Sequence, residues 1–191
     1  MKQLTYDLIK EVAREKGYCH NFNELTIIGV RTNFDLPDSF NDYLLCTWVE
    51  NGEGKMFGGM ATTDPSVYWL NKPMNVKGTA IVQPNMYNNV WTIGNHHEYK
   101  ALVQCGSFKT WRDGNKDSQL DRTGDTIIAG PECGINCHRA YEGFIVKTIG
   151  KYSAGCQVWQ NSKLFDKMMD LAYKSKQKTF TYILFTENDF S

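Results

Sequence analysis

Cys156 and His138 are the residues whose types and separation could do chemistry: fourteen residues lie between His138 and the turn Ser153-Ala154-Gly155-Cys156. A thiol attacks as its thiolate, so a catalytic cysteine needs a base or cation nearby, and small residues before it leave it open to a substrate. On this pattern Cys156 is the expected nucleophile. His138 is the expected base, taking the thiol proton and returning it to a leaving amine. Backbone N–H groups of Gly155 and Cys156 are the expected oxyanion donors, and losing one such donor costs about 3–4 kcal/mol of transition-state stabilisation. The bland alternative is a buried cysteine and an incidental histidine.

Over residues 133–185 the chain resembles the L,D-transpeptidases of the YkuD type. In that family a histidine is followed, after fourteen to seventeen residues, by Ser or Thr, then His, Gly and the nucleophilic Cys. His138, Ser153, Gly155 and Cys156 match, and Thr148-Ile149-Gly150 stands where the family often has an Ile-Gly approach to the turn. Ala154 replaces the usual His, and Val158 stands where an Arg is common. The resemblance implies an L,D-transpeptidase-like β-sandwich or barrel and a peptidoglycan stem peptide as partner. Cys156 would attack the carbonyl of an L-centred diamino acid linked to a D-amino acid, form a thioester, and pass the acyl group to an amine or to water. Transpeptidation and L,D-carboxypeptidase or endopeptidase activity both stay open. In the family the residue at Ser153 orients the histidine through its carbonyl or hydroxyl, which would fix the tautomer; a plain turn residue is the other reading. A domain without activity also stays open, cell-wall-binding or structural in a virion, with Ala154 and Val158 marking the loss.

Further residues are candidates for substrate contact. Ala154 belongs to the turn itself. Of the adjacent His96 and His97, His97 is the one expected at a cleft, unless both are exposed loop residues before a strand. Arg112 is the nearest fork-shaped cation to fill the role that Val158 leaves vacant, since a guanidinium reads a carboxylate well. Trp91 is one of several aromatics that could line a glycan or peptide cleft, although such residues more often pack. We expect no metal or cofactor. Cys133, Cys137, His138 and Cys156 are ligand types that suit zinc, but Cys133-x3-Cys137 has no second tight pair and adjacent Cys137-His138 strains joint ligation. Asp113, Asn115 and Asp117 alternate as in a calcium loop, yet Ser118 stands at the required Gly and no Glu falls at the twelfth position, so Asx turns are expected there.

The elements that must position these residues follow from patterning. At 191 residues the chain suits a single domain over 1–191, with a helical element in 1–20 and a β-rich core in 24–191. Leu4, Leu8, Ile9 and Val12 recur at helical spacing, with Gly17 as the stop. Residues 25–30, 42–49, 56–62, 78–82, 99–104 and 126–129 read as strands, with a turn at 51–54. After the turn, Ser162 is the expected N-cap of a helix to about Ser175, and 179–185 a closing strand. The class is therefore mainly β with a few helices, α+β. Cys133, Ile135 and Cys137 are expected on one face of a strand, with Asn136 and His138 on the other.

Composition narrows the function classes. A formal net charge of zero argues against a nucleic-acid partner, which calls for a basic excess. No stretch reaches membrane-span length, and the N-terminus has no apolar run of signal-peptide type. That predicts a chain that is cytoplasmic at synthesis and released to the cell wall, or carried in a virion. The six cysteines are expected to be mostly reduced packing residues. Oligomeric state is not encoded in these patterns.

Overall fold

The computed structural model describes residues 3–34, 36 and 38–191; the first two residues of the expected 1–20 element lie outside this set. In chain order the elements are α1 (Tyr6–Glu15), β1 (Thr26–Arg31), β2 (Asp42–Glu50), β3 (Glu53–Thr62), α2 (Val67–Asn71), β4 (Thr79–Val82), β5 (Asn85–His96), β6 (Tyr99–Gln104), β7 (Phe108–Asp113), β8 (Ile127–Ala129), β9 (Cys137–Arg139), β10 (Gln157–Trp159), α3 (Ser162–Ser175) and β11 (Phe180–Thr186). Eight strands close a barrel in the order β1-β11-β5-β6-β9-β10-β3-β2, and β4-β7-β8 form a second sheet. The class is mainly β, with three helices among the described residues, as the patterning indicates.

Two pairs in the barrel are parallel, β1 with β11 and β9 with β10. Parallel neighbours need long crossovers. For β9 and β10 the crossover is the loop 140–156 that carries the Ser153–Cys156 turn, so the fold itself returns the chain from His138 to Cys156 on an adjacent strand.

Three packed clusters follow from strand alternation. The barrel interior holds Leu44, Cys46, Trp91, Cys137, Trp159 and Tyr182, with Phe165, Met168 and Ala172 of α3 against them. On the outer face of β1 and β11, Ile28, Val30, Ile183 and Phe185 meet Ile9, Val12 and Ala13 of α1. Covered on both sides, β1 is buried at every position. The third cluster, Phe40, Ala140, Ile149 and Val158, lies beside Tyr152 and Cys156 on the outer face of β10.

Caps set the helix ends. Thr5 accepts from the Leu8 N–H and starts α1, and Gly17, at φ +73°, ends it. Asn161, rather than Ser162, caps α3: its side chain accepts from the Lys163 N–H, and Ser162 is the first helical residue. Residues 85–96, unassigned by patterning, form the longest strand. The 113–121 segment shows the expected Asx turns, with Asn115 and Asp117 accepting from backbone N–H groups two residues on. No helix among the described residues is long and apolar enough to cross a membrane.

Candidate active site

The turn before Cys156 is held by side chain and backbone together. The Ser153 hydroxyl lies 2.8 Å from both the Asp64 and the Cys156 carbonyls and accepts from the Gly155 N–H. The Ser153 carbonyl accepts from the Ser66 N–H. Ser153 is fully buried, and neither of its oxygens serves His138. This corrects the expected orienting role: Ser153 is a turn clamp, and its contacts are all with backbone. Gly155 sits at φ +121°, and a Cβ there would lie 2.7 Å from the Ala80 carbonyl oxygen. Only glycine fits so close to β4 in that conformation. Because the Ser153 hydroxyl takes the Gly155 N–H, the Cys156 N–H is the remaining candidate oxyanion donor of the turn.

Register places the two principal residues on one face. Gln157 pairs with Cys137 and Val158 with His138. Cys137 points into the barrel, so Asn136 and His138 face outward, and so do Cys156 and Val158. The expected parity holds for residues 135–138, whereas Cys133 belongs to a 3-10 turn, Pro131–Cys133. Cys156 lies across from Asn136, two residues from His138 along the strand. At about 3.3 Å per residue and about 4.8 Å between strands, the Cα atoms are roughly 8 Å apart, a separation two side chains can bridge.

The sulfur of Cys156 is engaged elsewhere. It accepts from the Asn136 N–H and donates to the Gly134 carbonyl, each at 3.5 Å, and no hydrogen bond joins it to a histidine. Burial pushes its pKa up to about 11, with the Asn136 N–H working the other way. The thiol is therefore protonated at neutral pH, with a thiolate fraction of about 10⁻⁴. Labelling of Cys156 by iodoacetamide, followed by peptide mapping, is expected to accelerate up to pH about 11. A plateau near the free-cysteine value of about 8.5 would reveal a solvated thiol instead.

His138 has a defined tautomer. Its Nδ1 lies 2.8 Å from the Arg139 carbonyl and so carries the proton, with the Tyr99 hydroxyl at 3.4 Å. Nε2 is buried and makes no hydrogen bond of good geometry, although the Tyr152 backbone interacts with the ring closely enough to raise its pKa. The orienting groups are thus backbone, the carbonyl of the next residue and the Tyr152 main chain.

Burial, followed by the neighbouring His96, lowers the His138 pKa to about 3. An unfolded imidazole titrates near pH 6.5, so below that pH the unfolded chain binds a proton that the folded chain refuses. Stability from this group is unaffected above pH 6.5 and falls by about 1.4 kcal/mol per pH unit as pH drops towards 3. Urea unfolding as a function of pH should show that slope, and His138→Gln should reduce it, leaving the same-signed contribution of His96, whose pKa burial lowers to about 4.

The structure exchanges the roles expected of the paired histidines. His97 is the exposed turn residue of the β5–β6 hairpin, at φ +53°. His96 ends β5 and stacks on His138, ring centroids 4.1 Å apart and 20° from parallel. Asn136 fixes it, donating from Nδ2 to His96 Nδ1 at 3.0 Å and accepting from the Gln104 N–H at 2.9 Å. Asn136 and Tyr99 were not expected at the site from sequence, and His96 was passed over for His97. Had 85–96 been read as one strand, alternation from Trp91 would have put residue 96 on the opposite face. Trp91 itself is 0% exposed and donates to the Ile135 carbonyl. It is a core residue, which removes it from the expected cleft.

Arg112 and Ala154, by contrast, meet at a cavity of about 610 Å³ between the second sheet and the turn. Cys133 and Ile135 line it as well, and they flank the Gly134 carbonyl that holds the Cys156 sulfur. Among the described residues no group of three or more His, Cys, Asp or Glu is arranged to hold a metal ion.

No protein-family model, curated protein or solved structure matches the chain.

Proposed function

We propose that the chain is a cysteine acyltransferase or peptidase of L,D-transpeptidase type, acting on peptidoglycan stem peptides through a thioester on Cys156. The observation that carries this reading is the β9–β10 pair: it sets Cys156 and His138 on one face, with no hydrogen bond of good geometry at the His138 Nε2. The barrel with a helix before it and α3 after the turn suits the domain form implied by the resemblance.

In this mechanism the sulfur leaves the Gly134 carbonyl and turns to Nε2. His138 takes the thiol proton as sulfur bonds to the substrate carbonyl carbon, and the Cys156 N–H meets the developing oxyanion. The C–N bond then breaks and His138 returns the proton to the departing amine of the D-amino acid. An amine or water attacks the thioester, its proton passes to His138, and the thiol reforms. A raised thiol pKa and a lowered imidazole pKa keep both partners neutral at rest and oppose the transfer, so the proton moves only as the sulfur attacks and not before it.

A second reading, a catalytically silent cell-wall-binding or virion structural domain of the same fold, draws on one observation: no hydrogen bond joins the sulfur to a histidine. Mass spectrometry of muropeptides incubated with the protein separates the two. Loss of a terminal D-amino acid, a cleaved cross-link or a new one is expected for the enzyme. An unchanged muropeptide profile, with the protein bound to the wall, would favour the silent domain.

A further inference from the structure

The cavity beside the turn has the chemistry of a subsite. Arg112 lies on β7 opposite Ala80, whose carbonyl is the oxygen packed against Gly155, so the guanidinium and the nucleophile turn flank the same residue. Its Nη1 donates to the Gly78 carbonyl at 3.3 Å and its Nη2 to the Cys133 sulfur at 3.6 Å, both long contacts. Its Nε is buried with no partner. Among the described residues no carboxylate forms an ion pair with it. A guanidinium offers five N–H donors, so most of its capacity is unspent. Met74, Val76 and Ile128 give the cavity an exposed apolar rim. Glu132 and Lys77 also line it and offset one another in charge, which leaves Arg112 as the net positive group, enough for one carboxylate and too little for a polyanion such as a nucleotide. One carboxylate next to a small apolar group is what this arrangement suits.

We propose that this cavity is a carboxylate subsite in which Arg112 anchors the free C-terminal carboxylate of a peptide. The anchor rests on the acyl-transfer reading only for what lies next to it: the bond one residue or so inward from that carboxylate is the one presented to Cys156. The subsite thus selects a chain end over an internal peptide segment.

The test uses an N-acetylated tripeptide ending in D-alanine and its C-terminal carboxamide, titrated calorimetrically into the Cys156→Ala protein. The free acid should bind about tenfold tighter or more, the factor expected when a charged hydrogen-bonded pair is lost. Arg112→Gln should weaken the acid alone and erase the difference, and Arg112→Lys should restore part of it. Equal affinity for acid and carboxamide, a difference that survives Arg112→Gln, or no binding of either probe would overturn the subsite. Acylation of wild-type Cys156 is scored separately. Acylation that ignores the carboxamide would overturn the subsite and leave acyl transfer standing. Acid-selective, Arg112-dependent binding by a protein whose Cys156 never acylates would uphold the subsite and overturn acyl transfer.

Discussion

Replacing His138 with Gln is expected to slow acylation of Cys156 by about 10²–10⁴-fold, the range that general base catalysis contributes. The size follows from the thiol. With its pKa raised to about 11, too little thiolate exists at neutral pH to react unaided, and Nε2 of His138, on the same face, makes no hydrogen bond of good geometry. Gln keeps a polar side chain of similar reach but is no base. Iodoacetamide labelling at high pH, where the thiol ionises by itself, should be nearly the same in both proteins. Intact-mass kinetics with an acyl donor at neutral pH reads the difference. Equal rates would remove His138 from the chemistry.

Arg31→Met is expected to cost about 3–5 kcal/mol of folding stability, the usual consequence of breaking a buried pair on one side. Arg31 is 3% exposed. It donates to the Thr63 hydroxyl, the Thr63 carbonyl and the Val82 carbonyl at 2.8–2.9 Å, and its Nη2 lies 3.1 Å from Asp64 Oδ1. Arg122 holds the other Asp64 oxygen at 2.7 Å. Without Arg31 the Asp64 carboxylate keeps one cation, and nearby Asp42, whose pKa burial already raises, loses a compensating charge. The effect reaches the site because the Asp64 carbonyl receives the Ser153 hydroxyl and the Ser66 N–H holds the Ser153 carbonyl. Urea unfolding measures the loss of stability, and acylation by the folded fraction should fall as well. A change below about 1 kcal/mol, the scale of an exposed pair, would show that water reaches this network.

How much of this was legible in the sequence depends on how local each signal is. The turn could be read because its parts are adjacent: Gly155 is required by one backbone conformation and one close approach, and the interval to His138 is the crossover between two parallel strands. The apolar stripes of α1 and α3 and the β-branched strands carried their own periodicity. β5 did not. Asn85, Asn88, Asn89 and Asn95 lower its β-propensity, and its place between β11 and β6 in the barrel is a tertiary fact that overrides local preference. From that miss came the choice of His97 over His96 and the reading of Trp91 as a cleft residue. Likewise Asp113 read as the start of a polar turn, while pairing with β4 makes it, with Arg112 before it, part of a strand. Arg112 was chosen for its side-chain chemistry, and only the second sheet shows that it reaches the turn. That Ser153 binds backbone instead of His138 depends on Asp64 and Ser66, far away in the chain, and no spacing rule encodes it.

The central claim is that Cys156 is a nucleophile activated by His138. Its most direct test is the intact mass of the protein after incubation with a carbapenem, an acyl donor for this type of chemistry, followed by peptide mapping. The account expects one adduct, on Cys156, absent from Cys156→Ala and strongly delayed in His138→Gln. A folded wild-type protein that stays unmodified, or an adduct that maps to another cysteine, would contradict it.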